Sequence, residues 1–237
     1  MTTNFNIRTA GQGDIGFLIQ AFIHAEKSGA TLLSYCYLFD IKETEFEIIL
    51  SELLTMDIPG QEFHLSSYLI AETEGQSVAT LCAWIEEEPG LSSGAIKAHL
   101  LAEAIGHDKF TDSRSRLVKL NKTNPSREPG CLQIETVFVA PEFRGKGLTA
   151  QLVYEAVMQH GGLNFGKRKI QVILAKKNKP AQKAYKRMGF SVTDEKYSDD
   201  PEISAVVPGG SRILMECSAE HLIRMTNERL RNIGPGK

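Results

Sequence analysis

One stretch near the middle of the 237-residue chain constrains the architecture more than any other: I-E-T-V-F-V-A-P-E-F-R-G-K-G-L-T-A-Q-L-V, running from Ile134 to Val153. Its hydrophobic period changes from two residues to 3.6 partway along, so a strand must give way to a helix. The strand covers Leu132–Val139 and is rich in β-branched residues. Alternation puts Leu132, Ile134, Thr136 and Phe138 on one face and Gln133, Glu135, Val137 and Val139 on the other. The turn holds Gly145 and Gly147, and the helix over Leu148–His160 buries Leu148, Leu152, Val153, Ala156 and Val157.

The same two periods mark the other elements. Phe5–Thr9 alternates as a short strand, and Ile15, Leu18, Ile19, Phe22 and Ile23 then recur at helical spacing. Glu43–Thr55 is amphipathic and is ended by Pro59-Gly60. Ser67–Glu72 and Ser77–Ile85 form a hairpin through Glu74-Gly75-Gln76. Later come a strand at Ile170–Ala175, a helix over Pro180–Met188, strands at Phe190–Thr193 and Ile213–Cys217, and a helix over Glu220–Arg231. Interleaved strands and helices mean a mixed α/β or α+β fold around one sheet. Pro89–Gly130 interrupts the pattern. It has a helical face of Ile96, Leu100, Leu101, Ala104 and Ile105, followed by a basic, polar segment. It is too small for its own core and reads as an insertion (89–130) within a single domain, 1–237, that ends in a helical extension, 218–237.

Composition narrows the classes. Hydrophobic residues make up 42% and charged residues 24%, ordinary values for a globular protein. The longest run without a charged residue, Ser28–Phe39, is too short to span a bilayer, and the start lacks a basic-then-apolar leader. Cys36, Cys82, Cys131 and Cys217 lie far apart with no C-x-x-C pair, and no His ladder is present. The expectation is a cytoplasmic protein with reduced thiols, no metal and no membrane partner. The net charge of −2 hides an asymmetry: residues 1–103 carry 15 acids and 4 bases, residues 104–237 carry 14 acids and 23 bases. Such a split suits different partners at the two ends, or helices with solvated faces of one sign.

The glycine turn carries the chemistry. Glycines there turn N–H groups inward, and the following helix adds its unpaired amides and the positive end of its dipole. With Arg144 and Lys146 this would make a phosphate cradle, whereas the glycines alone point to a strand–helix turn that needs them for its geometry. A Walker loop is absent. Gly145, Gly147 and Ala150 satisfy G-x-G-x-x-A, but Ala140–Arg144 intervene after the strand, and the next strand ends in Lys176-Lys177-Asn178 rather than an acid. V-x-V-A-P-E-F-R-G-K-G-L instead resembles the acetyl-CoA loop of the GNAT acetyltransferases, Q/R-x-x-G-x-G/A. N-K-P-A-Q-K-A-Y-K-R-M-G-F, about thirty residues on, resembles their N-x-x-A-x-x-x-Y-x-x-x-G-F. The family's last loop position, Gly or Ala, is Thr149 here; its amide and hydroxyl can still donate, but its branched side chain narrows the approach.

The resemblance implies a GNAT fold: a central mixed, mostly antiparallel sheet flanked by helices, with the helical insertion between the third and fourth strands. It implies acetyl-CoA as cosubstrate, held by the loop Arg144, Gly145, Lys146, Gly147, Leu148 and Thr149. The backbone of Val137, Phe138 and Val139, on a strand that splays from its neighbour, would pair with the pantetheine arm, and Asn178 would bind it too. A freed amide on that strand would polarise the thioester carbonyl. Tyr185 matches the tyrosine that protonates the departing thiolate, though Ala181, Ala184, Tyr185 and Met188 also form an inward helical face. Glu135 is the candidate base. A primary amine of pKa about 10.4 is only about 0.1% neutral near pH 7.4, so its proton must be taken. A carboxylate in a central strand is otherwise a structural group bonded to the insertion or to an arginine.

On the acceptor side, Glu43, Glu45, Glu47, Glu52, Asp57 and Glu86-Glu87-Glu88 are expected to make an acidic cleft for a small cationic amine. A protein or peptide lysine or N-terminus is the alternative substrate, and a non-catalytic CoA sensor the alternative class. Lys167-Arg168-Lys169, Lys176-Lys177 and Lys179 lack interleaved aromatics, so no nucleic-acid partner is expected. The insertion is a candidate lid or homodimer surface. No cysteine falls in either motif, so direct transfer is expected.

Overall fold

The computed structural model describes residues 5–56, 58–88, 90–162 and 168–232. Asp57, Pro89 and Lys167, named above, lie outside the described residues.

The chain runs β1 (Asn6–Thr9), α1 (Ile15–Lys27), α2 (Ser34–Phe39), α3 (Glu43–Leu54), β2 (Tyr68–Thr73) and β3 (Gln76–Ile85). The insertion follows as α4 (Ser93–Ile105), α5 (His107–Asp112) and α6 (Arg114–Asn121). Then come β4 (Leu132–Val139), α7 (Leu148–Gln159), β5 (Lys169–Ala175), α8 (Lys179–Arg187), β6 (Ser191–Tyr197), α9 (Pro201–Val206), β7 (Ser211–Ser218) and α10 (Ala219–Asn232). The strands form one sheet of order β1-β2-β3-β4-β5-β7-β6. Every neighbouring pair is antiparallel except β4 and β5.

Local chemistry accounts for the main junctions. Glu74 and Gly75 have φ of 52° and 76°, the left-handed pair that a two-residue hairpin turn between β2 and β3 requires. Ser92 caps α4 by accepting from the Ala95 amide at 3.2 Å. Asn178 caps α8 in the same way, accepting from the Ala181 amide at 3.2 Å, with Pro180 in the first turn.

The sheet has a hydrophobic cluster on each face. One packs Leu132, Ile134, Ile170 and Met215 beneath Leu152, Val153, Ala156 and Val157 of α7 and Leu222 and Ile223 of α10. The other packs Tyr68, Ile70, Cys82 and Trp84 beneath α1, α2 and α3, and Ile96, Leu100, Leu101 and Leu120 of the insertion join it. The insertion is thus cemented to the body. It is also tied electrostatically, by Lys109 to Glu45 at 3.1 Å and by Lys119 to Glu202 at 2.8 Å, and Arg116 donates to the Leu38 carbonyl at 2.7 Å.

The structure adds four helices and corrects two strands. The basic segment after α4 is helical, as α5 and α6. The stretch before α3 holds α2, and the loop after β6 holds α9. β6 runs on to Tyr197 because it pairs with β7 through Tyr197↔Ser211. The second corrected strand is β4, which shapes the site.

Candidate active site

β4 does not keep strict alternation. Its register against β3 slips between Thr80 and Cys82, where Thr80 faces Phe138 and Cys82 faces Glu135, and Thr136 takes φ of 47°. One extra residue in a strand is a β-bulge, and it turns the following side chains over. Leu132 and Ile134 therefore share the α7 cluster with Val137 and Val139, not with Thr136 and Phe138 as alternation predicts. Phe138 instead packs on α1, 6.0 Å from Phe17 and stacked 5.5 Å from His24.

The sheet opens immediately after the bulge. β4 pairs with β5 only at Leu132↔Ile170, Gln133↔Gln171 and Ile134↔Val172. Beyond these rungs the strands part around a cavity of about 630 Å³, lined by Glu135, Thr136, Val137 and Val139 on one side and Ile173, Leu174 and Ala175 on the other. Thr149, Asn178 and Tyr185 also line it. Phe138, Arg144, Gly145, Lys146, Gly147 and Leu148 do not.

The glycine loop stands at the start of α7. Gly145 and Gly147 have φ of 80° and 82°, a region that L side chains enter at a cost, and a Cβ on either would meet nothing within 4 Å. Among the described residues, the successive amides of Gly145, Lys146, Gly147, Leu148 and Thr149 have no acceptor. Five unpartnered N–H groups at a helix start, on an open glycine backbone, fit the pyrophosphate of acetyl-CoA. Arg144 donates to the Val139 carbonyl at 3.1 Å, and the Lys146 ammonium sits 4.7 Å from the Phe143 ring.

On the facing side, the Asn178 amide group also donates to the Ser28 hydroxyl at 2.8 Å. Tyr185 is 4% exposed, packs edge-on to Phe190 at 5.3 Å and still lines the cavity. The tyrosine is therefore both packed in the core and in contact with the cavity. Burial, reinforced by the Glu135 charge, pushes its phenol well above the ordinary value, so it is a protonated donor at neutral pH.

Glu135 sits in an ionic cluster. Arg127, from the end of the insertion, donates through Nη2 to Glu135 Oε1 and lies 5.7 Å over the Trp84 ring. Glu135 Oε2 has no hydrogen-bond donor among the described residues. Nearby, Glu62 Oε1 accepts from Lys97 Nζ at 2.8 Å and from the Tyr35 hydroxyl at 2.8 Å. Burial pushes the Glu135 carboxyl above the ordinary range, with the Glu62 charge adding to it and Arg127 and Lys97 opposing. Glu62 moves the other way: Lys97, Tyr35 and Arg127 outweigh burial and hold it below. Two carboxyls in one cavity are driven apart, one above the ordinary carboxyl range and one below it. Glu62, Lys97 and Arg127 belong to no sequence motif; only a charged residue amid a buried stretch hinted at any of them.

The acidic cleft expected from the N-terminal half is not there. Among its described members, Glu43, Glu45, Glu47, Glu52, Glu86, Glu87 and Glu88 do not line the cavity. Glu43 and Glu45 sit on the outer face of α3 and pair with Lys27 and Lys109, because the inner face is taken by Phe46, Ile49, Leu50 and Leu53. Glu86 is buried and accepts from Trp84 Nε1 at 3.1 Å and from Ser93. The acids that do line the cavity are Glu26, Glu62 and Glu135. Among the described residues, no group of three or more His, Cys, Asp or Glu could hold a metal.

Comparison with known proteins agrees with the geometry. The structure resembles an N-acetyltransferase from Staphylococcus aureus Mu50, with TM-score 0.60 and 13% identity over 90% of this chain and 100% of that one. It resembles an aminoglycoside N(6')-acetyltransferase from Legionella pneumophila, with TM-score 0.54 and 14% identity over 94% and 97%. It also resembles a Drosophila melanogaster polyamine N-acetyltransferase, described as forming N-acetylagmatine, with TM-score 0.52 and 14% identity over 91% and 100%. Compared by sequence, no curated protein matches. The sequence model of one family, described as "Acetyltransferase (GNAT) family", matches residues 36–190. With its mostly antiparallel seven-stranded sheet parted at β4, the chain belongs to the GNAT acetyltransferase family.

Proposed function

We propose that the chain transfers an acetyl group from acetyl-CoA directly to the primary amine of a small acceptor. The observation that carries this is the parting of β4 from β5 over a cavity that Tyr185, Glu135 and Thr149 line together, with five unpartnered amides at the start of α7. Bound acetyl-CoA supplies an activated acyl carbon and a thiolate leaving group.

The chain's own residues do the rest. The amides of Gly145–Thr149, with Arg144 and Lys146 adding charge, hold the pyrophosphate. The freed backbone of Val137, Phe138 and Val139 takes the pantetheine arm, with Asn178 opposite. Glu135, through Oε2, accepts the amine proton, and its raised affinity for protons suits that task. Amine nitrogen then bonds to the acyl carbon as the carbon–sulfur bond breaks, and Tyr185 gives its proton to the sulfur. No acetyl-cysteine intervenes: none of the four thiols lines the cavity, and burial pushes all of them upward. A small acceptor suits the site better than a peptide, since α4, α5 and α6 of the insertion wall it. Relatives in fold that act on small amines support this reading.

Calorimetric titration with acetyl-CoA tests it. Micromolar binding is expected, and Gly147→Asp, whose side chain would carry negative charge into the cradle, is expected to abolish it. Wild-type protein that fails to bind would remove the proposal.

A further inference from the structure

Apart from neutral polar groups such as Ser34, Ser113, Asn121 and Asn124, the cavity wall has two kinds of surface. One is ionic, and it is self-neutralised: Glu26, Glu62 and Glu135 pair with Arg212, Lys97 and Arg127 respectively, all six lining the same space. The other is apolar. Leu38 and Phe39 of α2 line it together with Leu101, Phe110, Leu117 and Leu120 of the insertion, and the Phe39 and Phe110 rings stack at 5.9 Å. Val206 and Val207 at the end of α9 extend this surface.

Both surfaces limit what the acceptor can be. Phe110 and Leu117, only partly buried, forgo dispersion contacts where they meet the cavity, and apolar space holds water poorly. A guest with an apolar body recovers those contacts. The apolar stretch offers no counter-charge to the second charged group of a polycation, which would leave water on entering it. An ammonium can be received at the free oxygen of Glu135.

We propose that the acceptor is a primary monoamine with an apolar body, aromatic or branched-aliphatic, seated in the chamber walled by Leu38, Phe39, Leu101, Phe110, Leu117 and Leu120. The insertion supplies four of these six side chains and is therefore the element that sets acceptor specificity. This rests on the transferase reading above and departs from the polyamine and agmatine chemistry of its relatives in fold.

The test follows thiol release by the full chain with saturating acetyl-CoA, comparing phenethylamine and isoamylamine with spermidine and agmatine. Expected is a kcat/KM for phenethylamine at least tenfold above that for either polycation. Leu117→Glu, which sets a carboxylate into the chamber at a partly exposed position, is expected to erase that margin. Leu117→Ala serves if the charged variant does not fold, and is expected to raise the KM for phenethylamine severalfold. A wild type that prefers spermidine or agmatine would overturn this proposal and leave the transferase reading standing. Transfer to none of the four amines by protein that binds acetyl-CoA would bring down the transferase reading, and this proposal with it. An unchanged amine preference in the folded Leu117 variants would also overturn it.

Discussion

Arg127 and Glu135 meet as an ion pair where the insertion returns to the sheet, the arginine lying over the Trp84 ring. A carboxylate in a central strand is costly without a partner, and the insertion provides one. Only one carboxylate oxygen is engaged, so the pair steadies Glu135 without consuming its capacity to accept a proton.

Tyr185→Phe is expected to lower kcat by roughly ten- to a thousandfold while acetyl-CoA affinity stays unchanged. The ring's packing on Phe190 survives the change, so a loss can be assigned to the hydroxyl. Single-turnover kinetics with calorimetry separate the two quantities, and an unaltered kcat would eliminate the acid role.

The wild-type kcat/KM is expected to rise with pH as Glu135 ionises, at a pH above the ordinary carboxyl value of 4.5. Arg127→Met removes the largest influence holding that carboxyl down, and the rising limb should move to higher pH. Glu135→Gln should remove the limb together with most of the rate. A pH–rate profile of the three proteins decides the matter.

Stability should respond to the two carboxyls with opposite signs. Glu62 is depressed in the fold, so its contribution is complete above the unfolded value near 4.5 and is lost as pH falls through the folded value. Glu135 is raised, so its contribution is complete below that unfolded value and fades as pH climbs through the folded one. Urea unfolding across pH should show Glu62→Gln flattening the profile below pH 4.5 and Glu135→Gln flattening it above pH 4.5. Equal slopes in variants and wild type would contradict both assignments.

Gly189→Ala should lower stability by about 1–2 kcal/mol from backbone strain alone, since φ there is 95°. A Cβ would also stand 2.4 Å from the His221 ring, which must swing away. Thermal melting reads the loss. A variant as stable as the wild type would mean that the turn before β6 rearranges freely.

Much of this was legible in the sequence where neighbours in the chain determine the outcome. β4 begins and ends at Leu132 and Val139 as its pattern predicts, and the glycine turn lies between it and α7. α2 escaped notice because Tyr35, Cys36, Leu38 and Phe39 are all buried, leaving no polar face to set a helical period. The bulge at Thr136 escaped because Thr136, Val137, Phe138 and Val139 suit either face of a sheet. Glu62, Lys97 and Arg127 converge from three separate elements, and no local spacing encodes a meeting that only tertiary packing creates. The acid count of the N-terminal half misled for the complementary reason: charge in a helix pattern says that a face is polar, not what the face looks onto.

The three rungs between β4 and β5 divide the sheet into two ladders, β1-β2-β3-β4 and β5-β7-β6, sewn by a short seam. Each ladder is continuous within itself, so slippage between them breaks few backbone bonds. A molecule lying along the seam bonds to both ladders and acts as a stitch. Amide protons flanking the gap should then exchange far more slowly once acetyl-CoA is bound, while those deep in either ladder barely change.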